Sequence, residues 1–150
     1  MVRGPLSQEE YEEIYAQVPR LTVEVVITSG DGVLLTRRQT GACRGLWHIP
    51  GGTVRYGERL VEAVHRVAAE ELGVQVDVDR LLGYIEYPSH QERGLDWPVG
   101  IAFRAHVIRS EAGRPGPEDN AARWFTSLPE AMHDEQKAFL RDQGLASGGH

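Results

Sequence analysis

The residues best suited to chemistry fall between Gly51 and Val74. A Gly51-Gly52 turn leads into a short extended piece and then a helix expected from about Glu58 to Leu72. Glu58, Glu62, Arg66 and Glu70 recur at intervals of four, so they share one helix face. Glu71 lies beside Glu70, about 100° round the axis. Leu60, Val64, Val67 and Ala68 form the apolar stripe that faces a core. Glu70 and Glu71 sit in the last turn, where the helix dipole disfavours carboxylates by roughly 0.3–1 kcal/mol each. Arg66 can offset one charge through an i,i+4 pair. The bland reading is a solvated acidic face with an ion pair. The chemical reading is a site for a hard divalent cation, which takes carboxylate and carbonyl oxygens and keeps waters for a phosphate-bearing substrate. Peptide carbonyls of the Gly51-Gly52 turn would complete such a site.

The surrounding elements must position these groups. Ser7 and Glu10 form a capping box, and Tyr11, Ile14, Tyr15 and Val18 recur at helical spacing, so residues 1–19 hold an N-terminal helix ended by Pro19. Leu21 to Ile27 and Val33 to Arg38 read as strands around the Ser29-Gly30-Asp31-Gly32 turn. Trp47 to Ile49 is a short apolar piece, stopped by Pro50. Gly73 occupies the place of a left-handed C-terminal cap. Val74 to Val78, Leu81 to Tyr87, Val99 to Ile108 and Ala122 to Phe125 read as further strands. The polar segments Pro88 to Pro98 and Ser110 to Asn120 read as loops, Leu128 to Gln143 as the last helix, and 146–150 as a frayed tail. This order predicts an α/β chain with one mixed sheet between helices.

Length and composition set the outer bounds. The 150 residues suit a single domain spanning 1–150 with a core of its own. Hydrophobic residues make up 41% and charged residues 25%, as in a soluble globule. A net charge of −6 disfavours a general nucleic-acid or anionic-membrane binder. No apolar run reaches the ~18 residues of a membrane span, and the N-terminus has no apolar signal region. Cys43 is the single cysteine, so no internal disulfide or cysteine-based zinc framework is expected, Cys43 receives no role, and a reducing cytoplasm is the expected compartment.

Gly52, Glu58, Arg66, Ala68, Glu70, Glu71, Gly73 and Val74 resemble the Nudix box, at its spacing throughout, and Trp47 to Gly51 resembles the segment that leads into it. The resemblance implies a Nudix α/β/α sandwich with a central mixed sheet. It implies a hydrolase that acts on a nucleoside diphosphate linked to another moiety, a nucleotide sugar or a nucleotide, with Mg²⁺ or Mn²⁺. By the same resemblance Glu58 and Arg66 pair structurally with Gly52 and Gly73 in the motif, Glu70 and Glu71 match metal ligands or bases, and the Gly51 carbonyl matches a metal ligand. Val67 stands where the family pattern has a further Glu, on a face expected to include positions 70 and 71.

Leu6 to Val54 resembles the GDP-mannose mannosyl hydrolase branch, through the N-terminal helix, Glu24 on its strand, Leu34-Leu35 before Arg37-Arg38, and Gly45-Leu46-Trp47. That branch also lacks the Glu after the box Arg, cuts at the sugar carbon, and keeps the second Glu of the pair, matching Glu71. Its diphosphate-contacting arginine matches Arg38. Aligned on Arg123-Trp124, its Gln metal ligand and His base fall on Glu118 and Asp119. The resemblance thus offers Glu70, Glu71, Glu118 and Asp119 as catalytic candidates and Gly51, Glu70, Glu71 and Glu118 as metal ligands. Arg37 and Arg38 end a strand, as a solvated pair or as a phosphate clamp in which guanidinium forks grip oxygens. Tyr87, His90 and Trp97 flank a loop able to cover a base or sugar, with Tyr87 as a substrate-binding candidate. His48 reads as structural, His65 as surface and Trp124 as core. The partner is a small nucleotide derivative, with no nucleic acid and no membrane, and many relatives in the branch are homodimers. Two other readings stay open: a Nudix-fold module that binds a nucleotide or metabolite without cleaving it, favoured by Val67, and a house-cleaning triphosphatase, by family analogy.

Overall fold

The computed structural model describes residues 1–30, 32–39, 43–110 and 121–146. The chain runs α1 (Gln8–Tyr15), β1 (Arg20–Ser29), β2 (Gly32–Arg37), β3 (Trp47–His48), β4 (Gly51–Thr53), α2 (Leu60–Leu72), β5 (Val74–Glu86), α3 (Pro88–Glu92), β6 (Pro98–Ser110), β7 (Ala121–Phe125) and α4 (Asp134–Asp142). The strands build one mixed sheet in the order β3-β2-β1-β6-β5, with β4 also on β1 and β7 on β2. β1 lies parallel to β6 and antiparallel to β2 and β4.

β1 is the centre of this arrangement. Thr22 through Ile27 are all buried, so both faces of the strand are covered. Val23, Val25 and Ile27 point to a cluster with Val64, Val67, Ala68 and Leu72 of α2. Val26 points the other way, to a cluster with Leu35, Trp47, Ile49, Tyr87 and Leu140. The period-two alternation of a strand therefore places Thr22 and Glu24 on the side of α4, opposite α2. This is the α/β/α sandwich the sequence implied.

Local signals hold well. Ser7 Oγ accepts from the Glu10 amide while Glu10 Oε1 accepts from the Ser7 amide, closing the capping box. Gly73 ends α2 at φ 63°, in the left-handed region that glycine enters without penalty. Five expectations need correction. Val74 to Tyr87 is one long strand rather than two, because irregularities at Gln75/Val76, Val78/Arg80 and Leu81/Gly83 absorb the polar interruption. Part of the loop from Pro88 to Pro98 is the helix α3. The last helix begins at Asp134 rather than Leu128. The Ala131 carbonyl accepts from the Trp47 amide and the His133 amide donates to the Trp47 carbonyl, so this stretch clamps β3 instead, and Pro129 has no amide to add to a helix. Ala146 is buried and its carbonyl accepts from the Leu128 amide, so it is not frayed. Trp124 is 45% exposed rather than in the core. The loop expected beyond Ser110 and the tail beyond Ala146 lie outside the described residues. Among the described residues no helix is long and apolar enough to cross a membrane.

Candidate active site

A cavity of about 1230 Å³ opens on the α4 side of β1. Its wall includes Thr22 and Glu24 of β1, Gly51 and Gly52 of β4, Arg38 just beyond β2, and Tyr87. Glu24 is the unusual member, a carboxyl on a central strand at only 5% exposure. The Thr22 hydroxyl donates to Glu24 Oε1 at 3.0 Å and the Tyr87 hydroxyl donates to the same oxygen at 3.1 Å. Burial pushes the Glu24 carboxyl up to about 7, against the pull of Thr22, Tyr87, Arg20 and Arg38. It therefore titrates close to neutral pH, where a group can both take and give a proton. A Cβ on Gly100 would lie 2.6 Å from Glu24 Oε1, and one on Gly51 would strike Glu24 Oε2. Glycine on both neighbouring strands is what makes room for the carboxyl.

The second half of the site is the turn that delivers α2. Arg66 donates through Nε to Glu58 Oε2 at 2.7 Å and through Nη2 to Glu58 Oε1 at 3.0 Å. The same Nη2 donates to the Thr53 carbonyl at 2.8 Å, so one guanidinium fixes the end of β4 against the helix. The hydrogen bonds from Arg66, chiefly, hold the Glu58 carboxyl below the usual carboxylate range, and Glu58 raises Arg66 in turn. Glu58 itself lies just before α2 rather than within it.

Residues 18–143 match the family model described as the NUDIX domain. The chain belongs to the Nudix hydrolase family. It is 43% identical over 93 residues, 61% of its length, to the "Low-salt glycan biosynthesis protein Agl8" of Haloferax volcanii. It is 32% identical over 121 residues, 79% of its length, to the "ADP-ribose pyrophosphatase" of Methanocaldococcus jannaschii. The chain spans 60% of the first relative and 70% of the second. The crystal structure of a MutT NUDIX hydrolase from Burkholderia pseudomallei superposes with a TM-score of 0.72 at 26% identity, covering 83% of this chain and 98% of that one.

Within this Nudix frame the expected site residues separate. Glu70, expected as metal ligand and base, is held by two guanidinium groups, Arg66 Nη1 at 3.3 Å and Arg55 Nη2 at 3.4 Å. It belongs to the ion-pair face with Arg66, not to a shared face with position 67. Val67 is 2% exposed, and a Cβ on Gly52 would lie 3.0 Å from its Cγ2. Glu71 is half-buried one turn beyond Val67, on the stripe that faces β4. Arg38 lines the cavity, whereas Arg37 stacks over the Trp47 ring at 5.1 Å, with Arg123 over the same ring. The pair expected as a clamp is therefore split. Tyr87 reaches the cavity wall, but it is 3% exposed and its hydroxyl is committed to Glu24. Glu118 and Asp119 lie outside the described residues.

His48, expected to be structural, lies partly buried on the cavity wall. Its Nε2 pairs with Thr36 Oγ1 at 3.1 Å, and burial together with the Arg38 charge pushes it down to about 4. His65 is exposed. Sequence reasoning placed Glu24 only as a resemblance and missed it as a site residue. The signal was there: one carboxylate within an otherwise apolar strand. Gln136, which donates to the Tyr87 hydroxyl at 3.0 Å, carried no such signal.

Nudix hydrolases use divalent metal ions, and the donor set here suits one. Gly51 leaves no room for a side chain between Glu24 and the Val23 carbonyl, so its peptide is closely confined beside Glu24. A carboxylate from Glu71, the Gly51 carbonyl and waters are the oxygen ligands that Mg²⁺ prefers.

Proposed function

We propose that this chain is a Mg²⁺-dependent hydrolase of a nucleoside diphosphate linked to another moiety, with a nucleotide sugar as the first substrate class. The observation that carries the reading is Glu24, a buried carboxyl on the cavity wall, poised near neutrality and aligned by Thr22 and Tyr87. The glycan biosynthesis relative and the mannosyl hydrolase resemblance support the sugar; the ADP-ribose pyrophosphatase supports the same diphosphate linkage. Glu71 and the Gly51 carbonyl would hold the metal, which supplies charge neutralisation on the leaving phosphate oxygen. Arg38 is the cation for the diphosphate on the cavity wall. Glu24 is the group able to take the proton of an attacking water, a role the box cannot fill at Val67. Glu70, fixed by Arg55 and Arg66, supports the box geometry.

Steady-state turnover of Glu71→Gln and Glu24→Gln tests these roles. Both variants should fold and lose turnover at least ~100-fold, general-base loss being worth roughly 10²–10⁴. Full turnover in Glu71→Gln removes the metal assignment, and full turnover in Glu24→Gln removes the base.

The burial of Val67 favours a second reading, a Nudix-fold module that holds its ligand intact. Calorimetric binding without product over hours, with and without Mg²⁺, distinguishes it.

A further inference from the structure

Cys43, His90 and His133 meet although they are distant in sequence. One ligand atom from each lies within 4.8 Å of the others. Cys43 comes from the segment between β2 and β3, His90 from α3, and His133 from the residue before α4. His90 Nε2 and His133 Nε2 are 3.0 Å apart.

The outer nitrogens explain why that distance matters. His90 Nδ1 faces Asp96 Oδ1 at 3.3 Å, and His133 Nδ1 faces Glu135 Oε1 at 3.7 Å. Asp96 favours a proton on His90 Nδ1, which turns the His90 Nε2 lone pair toward His133 Nε2, while His133 Nδ1 is buried with no hydrogen-bond partner among the described residues. With no metal bound, an Nε2–H on His133 can donate to His90 Nε2 across this distance, and moving that proton to the unpartnered Nδ1 frees both lone pairs for a cation. Tetrahedral zinc with bonds of about 2.0–2.1 Å sets its nitrogens about 3.3 Å apart, close to the spacing seen. A carboxylate behind each histidine is also the usual outer arrangement at metal centres. Arg93 Nη1 lies 3.8 Å from Cys43 Sγ, so the sulfur already faces a positive charge. Cys43 holds φ at 61°, an uncommon conformation for a residue with a side chain.

We propose that Cys43, His90 and His133 bind one Zn²⁺ ion, separately from the Mg²⁺ of the Nudix box. The soft thiolate and two imidazoles suit zinc, whereas the carboxylate and carbonyl donors of the box suit magnesium. All three ligands line the cavity. Three protein ligands leave a fourth position for water or for an oxygen of the molecule in the cavity, as in zinc centres that act on ligands rather than brace a fold. Cys43 would then hold a role that its sequence context does not suggest, because two histidines far along the chain join it.

The test uses the full chain without an affinity tag, stripped of metal with a chelator. Zn²⁺ is titrated against a chromophoric competitor, and Co²⁺ is added to a second sample for its visible spectrum. One tight equivalent of Zn²⁺ per chain and a thiolate-to-cobalt charge-transfer band are expected. Cys43→Ala and His90→Gln change partly exposed positions, so circular dichroism should show an intact fold. Each should weaken zinc at least as much as loss of the outer carboxylate in Asp96→Asn, roughly 10–100-fold. Glu71→Gln should leave zinc affinity unchanged. The proposal is overturned if the stripped chain takes up no tight zinc, if Cys43→Ala and His90→Gln bind it as well as the parent, or if Glu71→Gln abolishes it.

Discussion

The Tyr87 hydroxyl donates to Glu24 Oε1 across 3.1 Å and accepts from Gln136 Nε2 at 3.0 Å. Gln136 Oε1 in turn accepts from the Ile49 amide at 2.7 Å. This chain of groups ties the buried carboxyl to α4 and to the connection between β3 and β4. Tyr87→Phe breaks it in the middle and leaves the Gln136 amide buried without its acceptor. The expected loss is about 1–3 kcal/mol of stability, read by denaturant unfolding, together with a fall in turnover. A variant as stable and as active as the parent contradicts the linkage.

Gly100 is a second control on the same carboxyl. A Cβ there would meet Glu24 Oε1, Cγ and Cδ, so Gly100→Ala must displace the side chain. Overpacking of this kind costs roughly 1–3 kcal/mol. Turnover should fall with stability, whereas addition of a methyl group at exposed Gly94, a left-handed position with open space, should cost only the backbone strain. Equal turnover in Gly100→Ala and the parent means that the Glu24 position is not critical.

Val67→Glu restores the carboxylate of the family pattern at a position that is 2% exposed. In chelator the new charge is buried without a partner, and the melting temperature should drop by the equivalent of ~2 kcal/mol or more. Mg²⁺ binds the folded state and should return part of that loss. A variant as stable as the parent in chelator, or one that Mg²⁺ does not stabilise, contradicts the placement of position 67 beside the metal site.

His48 gives the fold an acid sensitivity. Its folded value of about 4 lies below the ordinary imidazole value of 6.5, because burial and Arg38 disfavour the imidazolium. Between those values the unfolded chain binds a proton that the folded chain does not. Stability from this group is therefore complete above about 6.5 and falls as pH drops toward 4. His48→Asn keeps a polar group for Thr36 and should flatten that decline by roughly 1–3 kcal/mol across the window. Urea midpoints at several pH values check it; parallel curves for variant and parent contradict it.

The features legible in the sequence are those whose cause is local. Ser7 with Glu10, Gly73 after Leu72, and Arg66 with Glu58 each depend on residues within one or two helical turns, and each appears as expected. The resemblance to the Nudix box added the sandwich itself, because that motif fixes a fold as well as a turn. What escaped depends on partners far along the chain. Polar Asp79 and Arg80 break the apolar pattern of β5, yet pairing with β6 carries the strand through them. The environment of Glu24 is made by Gly51, Gly100, Tyr87 and Gln136, which no window around residue 24 contains. His90 and His133 meet across 43 positions, and Cys43 joins them from a third segment. Arg37 and Arg38 are adjacent in sequence, but the strand sends one to Trp47 and the other to the cavity.

In the proposed reaction a divalent metal in this Nudix site drives cleavage of a nucleoside diphosphate derivative. Phosphorus NMR of nucleotide sugars incubated with the chain, with Mg²⁺ and with chelator, tests it most directly. Conversion is expected only with Mg²⁺: intact nucleoside diphosphate for attack at the sugar carbon, or nucleoside monophosphate and sugar phosphate for attack at phosphorus. Unchanged substrate spectra in Mg²⁺, or equal conversion in chelator, contradict it.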